Sequence, residues 1–192
     1  MRTLLVLALL WAIPAFGFQP SENGPLAQRM IVIDGSVRAP KGRLTDETGN
    51  THRLSGYKNE VSVVTLWATW CHVCRKEMPK LAELARQREG TRIKVRPVTV
   101  DEPNVRTQYI ARHMEVTGID NLPLLRDLKR EVWDRVGARG TPTTLIIDRF
   151  GQVVAAVAGG GLDWTHPEVL AYLDALAAAP DRETSRTLLA GG

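Results

Sequence analysis

Only two cysteines occur in 192 residues, and both lie in one segment, Cys71-His72-Val73-Cys74. That scarcity excludes a disulfide framework, because no second pair exists to staple distant parts of the chain together. The domain must be held by its core, and a chain of this length with 44% apolar residues is large enough to bury one. Charge of a single sign is scarce too. A net charge of +4 with 24% charged residues sits near the globular average, which excludes disordered and fibrous classes. No Lys/Arg stripe interleaved with aromatics is present, so nucleic acid is not an expected partner. Internal repeats, low-complexity tracts and a dinucleotide-binding glycine fingerprint are missing as well.

The first residues form the longest apolar run. Met1-Arg2-Thr3 precedes Leu4 to Ile13, one positive charge ahead of an apolar stretch, which is the build of a secretory leader. Ala15 and Gly17 offer small residues for cleavage, giving 1–17 as a signal peptide. The competing reading is an uncleaved anchor over residues 3–18, a short span interrupted by Pro14. Either way the domain is expected outside the cytoplasm, in the periplasm or an equivalent compartment. Loss of residues 1–17 removes Arg2 and no acid, lowering the net charge by one. Residues 18–28, rich in breakers, read as a linker, 29–179 as the folded domain, and 180–192 as a flexible tail.

Within the domain, apolar and turn patterns alternate. Met30–Ile33 is a short strand candidate, and Arg43–Thr45 with Thr51–Leu54 flank turn chemistry at Asp46–Asn50, predicting a hairpin. Val61–Trp67 is mostly apolar and β-branched, as a buried central strand requires. Met78, Leu81, Leu84 and Ala85 recur at helical spacing over 75–88. A strand over 93–100 follows, then helical patterns around 105–114 and 128–133. Strands at 143–147 and 153–157 lie across the turn Asp148–Gly151, and a helix at 166–178 closes the domain. The order predicts an α/β fold with a central mixed β-sheet flanked by helices.

The cysteines follow the central strand directly and open the next helix. Cys71 at a helix N-terminus meets unpaired amides and the positive end of the macrodipole, which favour its thiolate. Cys74, one turn on, can resolve a mixed disulfide formed by Cys71. Adjacent His72, when protonated, would favour the thiolate further. Two competing readings of the pair are weaker physically. Structural zinc needs four ligands, and His52, His72, His113 and His166 are scattered without ligand spacing. A purely structural disulfide would close so small a ring that it staples almost nothing. Pro79 inside the helical pattern and Pro142 in Gly140-Thr141-Pro142-Thr143-Thr144 add detail to the pattern, since the X-Pro bond at 142 is one that can be cis.

Trp67-Ala68-Thr69-Trp70-Cys71-His72-Val73-Cys74-Arg75-Lys76-Glu77-Met78-Pro79, followed by Gly140 to Thr144, Asp148 to Gly151 and Gly160-x-x-x-Trp164, resembles the thioredoxin superfamily. Within it the chain is similar to the exported TlpA/ResA/DsbE-like thiol–disulfide oxidoreductases, over about residues 30–178. The resemblance implies a thioredoxin fold with an N-terminal β-hairpin and a central insertion. It makes Cys71 the exposed nucleophile, Cys74 the buried resolving thiol, and Pro142 a cis-proline facing the pair. Thr141 is then the residue whose main chain pairs with a bound peptide. Thioredoxin carries a buried acid six residues before the first cysteine, and Thr65 stands there instead. Glu77, three residues after Cys74 on one helix face, is the replacement expected from related proteins. Trp67 reads as core, Trp70 as a substrate-contacting rim, and Trp133 and Trp164 as packing.

The expected function is an exported enzyme that reduces disulfides in partner proteins, of the cytochrome c or copper-site maturation type. No cofactor is expected beyond the redox-active Cys71–Cys74 disulfide. Its partners would be protein thiols and disulfides and a membrane thiol reductant such as a DsbD/CcdA-like protein, with the chain itself a monomer. Two alternatives remain at this level: a DsbA-like oxidase, and a Sco-type copper chaperone using both thiolates and a histidine, for which His113 is the candidate.

Overall fold

The computed structural model describes residues 18–33 and 37–188. The expected leader, 1–17, lies outside the described residues, among which no helix is long and apolar enough to cross a membrane.

Val61–Trp67 forms the strand its composition predicts, and all seven residues are buried. Successive strand side chains point to opposite faces, so both faces of the sheet are covered here. This strand, β4, is the middle of an eight-stranded mixed sheet. Its companions are β1 (Ile31–Val32), β2 (Leu44–Asp46), β3 (Thr51–His52), β5 (Ile93–Thr99), β6 (Leu125–Arg126), β7 (Thr143–Ile147) and β8 (Val153–Ala158). The order across the sheet is β1-β8-β7-β4-β5-β6-β2-β3. β4 runs parallel to β5 and antiparallel to β7, with Thr65 opposite Pro97 on one side and Thr144 on the other.

Among the described residues the α-helices are α1 (Pro25–Arg29), α2 (His72–Gln87), α3 (Thr107–Val116), α4 (Glu131–Arg135), α5 (Pro167–Ala178) and α6 (Arg182–Thr187). α2 connects β4 to β5 and packs on β5, while α5 packs on β4 and β5 and α1 lies on α5. The sequence places β4, β5, β7, β8, α2 and α5 to within a few residues. The hairpin β2–β3 is antiparallel and joins the sheet through β6. The region between β5 and β7, where a central insertion is expected, holds α3, β6 and α4.

Three segments differ from expectation. The helix expected over 128–133 is confined to α4, because Arg130 adopts a left-handed conformation at φ 54° and Asp127 caps the helix start. The Asp127 Oδ2 accepts from the Val132 and Trp133 amides at 2.9 and 2.8 Å, which leaves 125–126 free to pair as β6. The 18–28 linker ends in α1, opened by Pro25 at a first-turn position and anchored by Leu26, which is 1% exposed. The 180–192 tail contains α6. Asp181 caps it by accepting from the Thr184 amide at 2.8 Å, and Ser185 is buried.

Candidate active site

α2 begins where β4 ends, after a four-residue link from Ala68 to Cys71. Cys71 is the N-cap: its Sγ accepts from the Cys74 amide at 3.0 Å. The same donor that caps the helix therefore stabilises negative charge on that sulfur. Cys71 and Cys74 are joined as a disulfide with Cα atoms 5.2 Å apart. Cys74 is fully buried, and Cys71 is 5% exposed, less open than the resemblance implies. The Thr141 carbonyl oxygen lies against it, 3.5 Å from the Cys71 Sγ. The Thr141–Pro142 peptide bond is cis. Cys71, Thr141 and Pro142, distant in sequence, thus share one surface.

α2 continues through Pro79, with Cys74, Glu77, Met78, Leu81, Ala82 and Leu84 buried. Glu77 is the exception among these apolar positions. Its Oε1 accepts from the Trp164 indole N–H at 2.8 Å, and its Oε2 accepts from the Gly161 amide at 3.3 Å. Burial pushes its carboxyl above the ordinary carboxylate value, opposed by those two hydrogen bonds and by nearby Lys80. Lys80 itself pairs with Asp163 at 3.6 Å. Gly160 closes over the carboxylate so tightly that a Cβ there would stand 2.3 Å from Glu77 Oε2 and 3.1 Å from Pro142 Cγ. A groove of about 190 Å³ beside the pair is lined by Val73, Lys76, Glu77, Lys80, Gly161 and Leu162.

The remaining predicted residues sort by exposure. Trp70 is 67% exposed beside Cys71, while Trp67 is buried and stacks on His113 at 5.9 Å. His113 is pushed below the ordinary imidazole value mainly by burial. His72 is exposed, and its Nδ1 accepts from Arg75 at 3.2 Å. Thr65, where thioredoxin has an acid, shares a hydrogen bond of 3.0 Å with Thr144 across β4 and β7. Trp164, expected only to pack, is buried and also holds Glu77. Its partner lies 87 residues away, beyond any local pattern. A second buried acid, Asp101, grips Thr69 in the link before Cys71, and the sequence reading did not single it out. The available signal was an acid just beyond an apolar strand. Among the described residues, no three His, Cys, Asp or Glu side chains converge as a metal-binding group.

The AhpC/TSA family profile matches residues 36–156. The chain belongs to the AhpC/TSA family. Thiol-disulfide oxidoreductase ResA from Geobacillus kaustophilus (strain HTA426) is 32% identical over 159 residues, covering 83% of this chain and 86% of ResA. Among solved structures, the thioredoxin domain of a thiol-disulfide oxidoreductase from Bacteroides vulgatus matches with a TM-score of 0.61 at 20% identity. That match covers 74% of this chain and 96% of the other. The exposed lipoprotein thioredoxin Etrx1 from Streptococcus pneumoniae strain TIGR4 matches with a TM-score of 0.56 at 25% identity, covering 72% of this chain and 99% of Etrx1. This AhpC/TSA member has the thioredoxin fold and is a thiol–disulfide oxidoreductase with a Cys71–Cys74 pair.

Proposed function

We propose that the protein works outside the cytoplasm as a reductant of disulfides in other proteins. The observation that carries this reading is the Cys71 sulfur, seated on the Cys74 amide and facing the main chain of Thr141. In the reduced enzyme the Cys71 thiolate attacks one sulfur of a substrate disulfide. A Cys71–substrate disulfide forms, and the other substrate sulfur leaves as a thiolate that takes up a proton. Cys74 then loses its proton to the Glu77 carboxylate, one helical turn away, and attacks the Cys71 sulfur. The second substrate thiolate departs, so one substrate disulfide becomes two thiols and the enzyme ends as the Cys71–Cys74 disulfide.

Glu77 suits the base because burial raises its proton affinity while Trp164 and Gly161 hold both oxygens in place. Thr141 and cis Pro142 supply an extended main chain against which a substrate strand can lie, with exposed Trp70 and His72 at its rim. The compartment is oxidising, so regeneration calls for a membrane thiol reductant of the DsbD/CcdA type, and no other cofactor enters. Substrates of the cytochrome c or copper-site maturation kind fit a ResA-like enzyme of this sort, acting as a monomer. The leader expected over 1–17 supports export, as does the likeness to Etrx1, an exposed lipoprotein.

Trapping tests the reading. Cys74→Ser, expressed in the native compartment, removes the resolving thiol and is expected to accumulate mixed disulfides through Cys71. Absence of any protein bound to Cys71 would overturn it.

A further inference from the structure

We propose that Asp101 is a positioning residue for the nucleophile, acting through Thr69 on the chain that delivers Cys71 to the start of α2. The proposal rests on the reading of Cys71 as the attacking sulfur. Asp101 follows β5 and is 3% exposed. A carboxylate this buried needs several donors, and most of those it has come from one residue of the Ala68–Cys71 link. The Thr69 hydroxyl donates to Asp101 Oδ1 at 2.8 Å, and the Thr69 amide reaches the two oxygens at 3.3 and 3.1 Å. Thr99 completes the shell by donating its hydroxyl to Oδ2, while the Asp101 amide donates back to the Thr99 hydroxyl oxygen at 3.2 Å.

Only Trp70 separates Thr69 from Cys71, and a turn bond from the Cys71 amide to the Ala68 carbonyl at 3.1 Å stiffens the interval. The backbone on the other side is fixed too, since the Val100 amide donates to the Trp67 carbonyl at 2.8 Å. The end of β4 and the link after it are therefore pinned, at Trp67 and Thr69, to Val100 and Asp101 just beyond β5. The link's remaining freedom sets where the Cys71 sulfur sits over the Cys74 amide. Loosening the Thr69 anchor lets the N-cap contact lengthen, and the thiolate loses part of its stabilisation. The charged and titratable groups facing this cluster are His113 from α3, Arg126 from β6 and, toward His113, Arg75 from α2. Variants that keep the carboxylate charge therefore separate the tether from the field.

The experiment follows iodoacetamide alkylation of Cys71 across pH in the reduced, full-length Cys74→Ser protein, with Thr69→Ala, Thr69→Ser and Asp101→Glu added singly. Thr69→Ala and Asp101→Glu are expected to raise the Cys71 midpoint. Below it the rate would fall by about fivefold, while the rate at high pH stays unchanged. Thr69→Ser, which keeps the hydroxyl, is expected to match the parent. A role confined to the scaffold would lower the unfolding temperature and leave the alkylation profile where it was. An unchanged or lowered midpoint in the Thr69→Ala protein overturns the proposal, and that variant settles the matter even if Asp101→Glu fails to fold. A parent whose Cys71 is no more acidic than a free thiol removes the nucleophile reading as well. Variants indistinguishable from a reactive parent remove this proposal alone.

Discussion

Glu77 is a carboxylate that the fold buries beside its redox pair and then satisfies with a tryptophan indole and a glycine amide. Burial raises its affinity for a proton in the folded chain relative to the unfolded one. Above the ordinary value of 4.5, the native state then binds more protons than the unfolded state, so stability falls as pH rises toward the native midpoint. Glu77→Gln is expected to abolish that decline, measured as urea unfolding free energy at several pH values between 4 and 8. The same change should slow disulfide reduction at neutral pH by roughly 10²-fold if Glu77 is the proton acceptor for Cys74. Glu77 was legible because it lies three residues from Cys74 on the same helix. Its holder Trp164 was not, since nothing local distinguishes a packing tryptophan from one whose N–H has a buried partner. Asp101 escaped for a similar reason: its meaning depends on Thr69, 32 residues earlier and on another element.

Among the elements, β4 and α2 were the most legible, because an unbroken apolar strand and a helical apolar stripe are each fixed by local pattern. The short pieces were not. Whether 125–126 pairs or coils depends on Asp127 capping α4 and on Arg130 turning left-handed, and neither shows in periodicity. The link from β8 to α5 shows the same dependence on tertiary context. Gly159, Gly160 and Gly161 all have positive φ, but only Gly160 lies against Glu77, Val73 and Pro142. A side chain at Gly159 meets open space. Gly160→Ala should therefore cost about 1–3 kcal/mol more than Gly159→Ala, since both carry similar backbone strain and only one overpacks. Urea unfolding of the two variants side by side gives that difference. Gly160→Ala should also slow exchange, by displacing the carboxylate beneath it.

Across the whole molecule, the thioredoxin fold was legible from the order of motifs along the chain, whereas the strand order was not. The sheet brings β7, with the Thr141–Pro142 bond at its start, against β4, which launches α2; that single antiparallel pairing puts residues 71 and 141 face to face. Sequence spacing contains no trace of it, because the pairing crosses all of α3, β6 and α4. The ends of the domain carry more structure than expected, for a related reason. Leu26 is buried in α1, which packs on the distant α5, and Ser185 is buried in α6, whereas breaker-rich composition alone suggests linker and tail. What the assembled molecule does with electrons depends on how the folded state weighs the dithiol against the disulfide. The N-cap amide at Cys71 favours the thiolate, and the buried Cys74 beside a raised Glu77 favours the neutral thiol. The reduction potential of the Cys71–Cys74 pair, equilibrated against glutathione or dithiothreitol, reads that balance. A reductant of protein disulfides is expected near or below thioredoxin's value of about −270 mV, and a potential near DsbA's, about −120 mV, would contradict it.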